Sequence, residues 1–183
     1  MAEQKQVVLG VTGSIAAYKS CDIIRGLQRK NISVTVVMTE KAKKFITPLT
    51  LMSLSQNKVY CNMFVENCDE WTMDHISLAQ KADLFLVAPA TANVIGKIAG
   101  GIADDLLTST AMTTKASVVI APAMNTAMYE NAIVQNNIKI LKKNGIEFID
   151  PISGKLACGD KGNGHLAEVD IIIKKVCALL KNK

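Results

Sequence analysis

Gln6-Val7-Val8-Leu9-Gly10-Val11, running into Thr12-Gly13-Ser14-Ile15-Ala16-Ala17-Tyr18-Lys19, decides the fold of this chain. After Gln6 the run Val7–Val11 carries no polar side chain at odd or even positions, which describes a strand covered on both faces. A glycine-serine turn follows, and Ile23, Ile24 and Leu27 then recur at helical spacing over 16–29. The same alternation continues: Ser33–Met38, 84–88, 117–121 and 147–149 read as buried strands, 131–144 and 168–180 as helices. Residues 49–55 suit a short helix behind Pro48, and 104–114 opens on two acids that favour a helix N-terminus. Strands buried on both faces and alternating with helices predict an α/β fold with a doubly wound sheet.

Composition narrows the class. A chain of 183 residues with 49% hydrophobic and 20% charged residues can build a real core, which excludes a disordered chain. No repeat or linker divides it, so residues 1–183 are expected to form one domain, with 151–166 its least regular part. No apolar run reaches 18 residues and the N-terminus lacks a signal-peptide core, so a cytoplasmic protein is expected, with no membrane partner. Cysteines 21, 61, 68, 158 and 177 are odd in number and form no C-x-x-C pair, so reduced thiols and no metal site are expected. The net charge of +5 is scattered, as in Lys43-Lys44 and Lys174-Lys175, and only 4% of residues are aromatic; this argues against nucleic acid and for a mild attraction of small anions.

Ligands of open parallel sheets lie beyond the carboxyl ends of the strands, and four strand ends here carry polar residues. At the first turn Gly13 permits close backbone approach, Ser14 adds a hydroxyl, Lys19 a cation, and the following helix can aim N–H groups at an anion. The second strand ends in Thr39-Glu40: Thr39 suits a phosphate, Glu40 the ribose of a dinucleotide, and the missing G-x-G-x-x-G fingerprint weighs against the latter. Pro89-Ala90-Thr91-Ala92-Asn93-Val94 leaves room for a flat ring, although a proline turn with an Asn-capped helix explains it equally well. Pro122-Ala123-Met124-Asn125-Thr126-Ala127-Met128-Tyr129 sets one amide among apolar side chains. Asn125 there either holds a carboxylate or carbonyl by donated hydrogen bonds, or bonds its own backbone in a turn.

Segments 13–19, 122–129 and Leu156-Ala157-Cys158-Gly159-Asp160-Lys161-Gly162-Asn163-Gly164, in this order and spacing, resemble the flavin-dependent phosphopantothenoylcysteine decarboxylase family over nearly the whole chain. The resemblance implies a Rossmann-like, flavodoxin-type FMN-binding domain, assembled as a homo-oligomer (trimer or dodecamer) with the flavin near a subunit boundary. It places the FMN phosphate end at Gly13, Ser14, Ile15 and Thr39, with Phe45 nearby, and the flavin against Thr91, Ala92, Asn93, Val94 and Ala123. The chain departs from the family at Thr91, usually Ser, at Val94, often Thr, and at Tyr129, typically Trp.

The implied reaction converts 4′-phosphopantothenoylcysteine to 4′-phosphopantetheine in coenzyme A biosynthesis. A cysteine carboxylate leaves a carbanion with no electron sink, so the flavin is expected to oxidise the thiol to a thioaldehyde before decarboxylation and re-reduction. By resemblance His75 moves a proton, Asn125 binds the carboxylate, Cys158 is the proton donor for reduction, and Lys155, Leu156 and Ala157 belong to a substrate flap. His165 reads as a surface or flap residue. Alternatives within reach of the motifs are a lantibiotic-type peptidyl-cysteine decarboxylase, a nonenzymatic regulatory flavoprotein and, least, a flavin prenyltransferase. With the chain ending at Lys183, no fused synthetase domain is expected; the phosphopantothenate-cysteine ligase that makes the substrate would then be a separate protein.

Overall fold

The computed structural model describes residues 4–64, 73–155 and 161–181. Six strands, β1 (Gln6–Val11), β2 (Ser33–Met38), β3 (Val59–Tyr60), β4 (Leu84–Ala90), β5 (Ser117–Pro122) and β6 (Glu147–Phe148), form one sheet in the order β3-β2-β1-β4-β5-β6. Every pairing in it is parallel. Two βαβαβ halves therefore meet between β1 and β4, where the direction of winding reverses. This is the doubly wound, single-domain α/β fold expected.

The period of two along each strand sorts the core into two layers. Val7, Leu9, Val11, Val34, Val36, Leu84, Leu86 and Val119 face α1 (Ser20–Gln28), α2 (Pro48–Ser55) and α8 (Val169–Lys181), meeting Ile23, Ile24, Leu27, Leu51, Ile172 and Val176. Val8, Val37, Phe85, Val87, Val118 and Ile120 face the other way. They pack with Leu78 of α3 (Asp74–Lys81), Val94 and Ile95 of α4 (Ala92–Ala99), Leu107 of α5 (Leu106–Thr113) and Ile138 of α7 (Ala132–Lys143). Phe85 and these aliphatics are fully or nearly fully buried, at roughly 1.5–3 kcal/mol of transfer free energy each. Among the described residues no helix is long and apolar enough to cross a membrane.

Several local departures matter for the site. The stretch 16–29 is not one helix: a 3-10 segment, Ile15–Lys19, precedes α1 and buries Ala16 and Ala17, small residues that let the tight first turn lie on the sheet. β4 runs beyond residue 88, and its pairing with β5 resumes at Ala90–Pro122 after a register shift past Val87. The short helix α6 (Thr126–Glu130) follows β5 directly. Within 151–166, expected to be irregular, β7 (Ile152–Lys155) and β8 (Lys161–His165) form an antiparallel pair in the register Ser153–Asn163, Gly154–Gly162 and Lys155–Lys161. That sequence is polar and glycine-rich, with Ile152 the single β-branched residue of the two strands, so it carries little of the composition that marks a strand.

Candidate functional site

The crevice forms where the two halves diverge. Thr12, fully buried at the end of β1, donates its hydroxyl to the Pro89 carbonyl (2.7 Å) and accepts from the Thr91 N–H (3.0 Å), tying β1 to the end of β4. Ser20 Oγ adds a bond to the Ala88 carbonyl (3.3 Å). Three segments then start at this edge of the sheet, each capped by its own side chain. Ser14 accepts from the Ala16 N–H (3.3 Å), Thr91 from the Val94 N–H (3.4 Å), and Asn125 Oδ1 from the Ala127 N–H (2.8 Å). The first N–H groups of such segments lack intrahelical partners and carry the positive end of the local dipoles.

Between these starts lies a cavity of about 340 Å³, lined by Gly13, Ser14, Ile15, Ala16, Thr91, Ala92, Ala123, Met124, Asn125, Met128, Gly164, His165 and Leu166. Its size is that of a small-molecule site. Two glycines permit its shape. A Cβ on Gly13 would come within 2.6 Å of Lys41 Cβ, so the first turn and the loop after β2 can cross only there. Gly164 has φ +136°, and a Cβ on it would overlap the Met124 carbonyl oxygen. The Met124 N–H donates to the Gly164 carbonyl (3.0 Å), so the β7–β8 hairpin is docked on the loop between β5 and α6.

The lining has two characters. Ile15, Ala16, Ala92, Ala123, Met124 and Met128 offer small or flexible apolar contacts, while Ser14, Thr91 and Asn125 place hydroxyl and amide groups among them. A planar apolar body with an anionic end matches this set, and FMN is such a group: a flat ring system for the small residues, a phosphate for the Gly13-Ser14 turn. Nearby, burial pushes the Tyr129 phenol up, helped by the Asp150 charge and opposed by a hydrogen bond from Gln135. Burial likewise raises the thiols of Cys21 and Cys61. Among the described residues no group of three or more His, Cys, Asp or Glu side chains could hold a metal ion.

Residues 1–181 match the Flavoprotein family model. The chain is 51% identical over 174 residues to the "probable phosphopantothenoylcysteine decarboxylase" of Streptococcus mutans, covering 94% of this chain and 97% of that one. The chain belongs to this family. It is also 47% identical over 174 residues to the coenzyme A biosynthesis bifunctional protein CoaBC of Bacillus subtilis, covering 95% of this chain but 43% of that longer protein. Among solved structures, a PPC decarboxylase mutant complexed with pantothenoylaminoethenethiol superposes with a TM-score of 0.89 at 32% identity, over 98% of this chain and 100% of that one. The FMN binding protein AtHal3 gives 0.86 at 32% identity, over 99% of both chains.

Set against the residues expected of a phosphopantothenoylcysteine decarboxylase, the structure brings Gly13, Ser14, Ile15, Thr91, Ala92, Ala123 and Asn125 onto one cavity. Thr39 lies just outside the lining, accepting from the Ala42 N–H (3.3 Å) in the loop that crosses Gly13. Lys19 ends the 3-10 segment, and Phe45 is exposed after the 3-10 turn Ala42–Lys44; neither lines the cavity. Asn93 is exposed, and the Val94 side chain is buried in the core behind α4, so only its N–H points to the Thr91 cap. His75 is half-buried in the first turn of α3 and is not among the lining residues. Lys155 ends β7; Leu156, Ala157 and Cys158 lie outside the described residues. His165, Gly164 and Met128 were not anticipated as lining. The alternating Gly162 and Gly164 are the signal that marks them, since a Cβ at either would strike Thr126 or Met124.

Proposed function

We propose that this chain catalyses the FMN-dependent decarboxylation of 4′-phosphopantothenoylcysteine to 4′-phosphopantetheine in coenzyme A biosynthesis. The observation that carries this reading is Asn125, a neutral amide in a cavity that also offers an anion-binding turn and an apolar plate. When bound, FMN supplies a two-electron acceptor and donor for the substrate thiol. Asn125 accepts the Ala127 N–H at Oδ1, a bond that fixes the orientation of its neutral amide at the cavity wall. Thr91 and Ser14 hold their segments' first turns in place, fixing the backbone donors against which an anion is oriented. Ala92, Ala123 and Met124 keep the walls dry.

His75 moves a proton during thiol oxidation or decarboxylation, and Cys158 gives a proton on re-reduction; an ordinary thiol of pKa about 8.5 is mostly protonated at neutral pH. Because His75 stands off the cavity of its own chain, the reading includes a homo-oligomer, trimer or dodecamer, in which the flavin lies near a subunit boundary and a second copy completes the site. Ile15, Tyr18, Phe45, Leu49 and Met52, all about half exposed, supply apolar surface for such a contact. The reading places the protein in the cytoplasm beside a phosphopantothenate-cysteine ligase activity, which the word "bifunctional" in the Bacillus relative's name accommodates.

The test is incubation of the yellow, FMN-loaded protein with 4′-phosphopantothenoylcysteine, following carbon dioxide release and phosphopantetheine by mass spectrometry. Absence of product would overturn the proposal. His75→Asn is expected to abolish thiol oxidation, and Cys158→Ser to release carbon dioxide while accumulating the unsaturated enethiol.

A further inference from the structure

We propose that His165 is a substrate-binding residue of this site, its imidazole donating a hydrogen bond to the substrate carboxylate beside Asn125. The inference rests on the functional reading above and deepens it. Among the described residues that line the cavity, His165 carries the sole ionisable side chain. Its place follows from the backbone. Met124 and Gly164 are joined by the 3.0 Å N–H to carbonyl bond, and the residue after each, Asn125 in the loop before α6 and His165 at the end of β8, lines the same cavity.

The juxtaposition is locked. Gly164, at φ +136°, sits so close to the Met124 carbonyl that no other residue fits, and Gly162 is pressed equally hard on Thr126. On its other side the imidazole rests on Gly154 of β7, where even a Cβ would come within 3.4 Å of His165 Cδ2. A carboxylate offers about four lone-pair positions, more than one amide can fill. Ala123, Met124 and Met128 add no side-chain donor, so the imidazole is the side chain beside Asn125 that can fill a further position.

The test uses the full FMN-loaded chain and two ligands measured by titration calorimetry. One is 4′-phosphopantothenoylserine, which keeps the carboxylate and has no thiol to oxidise; the other is 4′-phosphopantetheine, which lacks the carboxylate. His165→Ala should weaken the first roughly tenfold or more, the loss expected for a hydrogen bond to a charged group, and the second less than about twofold. His165→Gln, which retains a donor, should restore most of the difference. Equal weakening of both ligands would place His165 on the phosphate or pantothenoyl arm or in a purely structural role. Loss of FMN affinity, read from flavin fluorescence, would place it on the cofactor. Either result, or no change, overturns the assignment. Turnover by the wild type is measured first: a wild type that releases carbon dioxide beside an indifferent His165→Ala refutes this inference alone, whereas a wild type without turnover refutes the parent reading.

Discussion

Replacing Thr12 by Val tests whether the crevice is held open by one buried hydroxyl. The two side chains have nearly the same volume, so packing against β4 is retained and the perturbation is confined to hydrogen bonding. Two partners lose their mate: the Pro89 carbonyl, bonded at 2.7 Å in a buried position, and the Thr91 N–H, bonded at 3.0 Å in a partly buried one. A buried polar group left unsatisfied costs about 1–3 kcal/mol, and the Thr91 N–H, nearer water, lies at the lower end; together they amount to about 2–4 kcal/mol. For a domain of this size each kcal/mol moves Tm by about 2–4 °C, so Thr12→Val should melt roughly 5–15 °C below wild type by circular dichroism. Thr12→Ser, which keeps the hydroxyl, should recover most of that loss. Because Thr91 caps α4 beside the cavity, FMN affinity should fall with stability in Thr12→Val and return in Thr12→Ser. A Thr12→Val protein melting within about 2 °C of wild type would refute the view that this bond pair closes the switch point.

Asn125→Asp should preserve the cap on α6, since Asp caps as well as Asn, and leave Tm nearly unchanged. A second negative charge facing the substrate carboxylate should nevertheless lower kcat/KM by about 100-fold or more, and a loss below about threefold would remove Asn125 from the carboxylate site. Gly164→Ala must relieve both the overlap with Met124 and the positive φ, at a cost of about 1–3 kcal/mol. The expected readouts are faster limited proteolysis of the β7–β8 hairpin and a raised KM, and an unchanged KM would contradict the docking described. Burial raises the thiol pKa of Cys21 and Cys61, so at a given pH each holds less thiolate than a free cysteine. Peptide mapping after brief alkylation at pH 8 should find both labelled more slowly in the folded protein than after denaturation, and equal rates would show that burial does not protect them.

How much of this was legible in the sequence depended on whether a signal was local. The doubly wound sheet was, because the short apolar runs Gln6–Val11 and Ser33–Met38 are separated by the amphipathic helix α1. β3 was not, because two residues, Val59 and Tyr60, cannot show a period. Asn125 stood out by contrast with Met124 and Met128, yet both meanings weighed for it are present at once: it bonds its own backbone through Oδ1 and still lines the cavity. His165 stayed hidden because its neighbour in space, Asn125, is forty positions away, and only the Met124–Gly164 bond brings the two together. Val94 shows the converse, a residue only three positions from the Thr91 cap whose side chain the helical turn carries into the core.

The composition of the lining bears on how a decarboxylase of this kind gains rate. Among the described residues around the cavity there is no Lys, Arg, Asp or Glu, and the polar side chains Ser14, Thr91 and Asn125 are neutral. A fixed cation would hold the substrate carboxylate tightly in the ground state, and that interaction would be lost as carbon dioxide, a neutral molecule, departs. Binding energy that disappears on the way to the transition state lowers KM without raising kcat. Neutral donors orient the carboxylate while surrendering less, and partial charges at capped segment ends do the same for an anionic phosphate whose charge does not change. On the proposed reading the charge that changes meets Asn125 and the charge that does not meets the turn at Gly13 and Ser14, two places that the reversal of the sheet between β1 and β4 sets side by side.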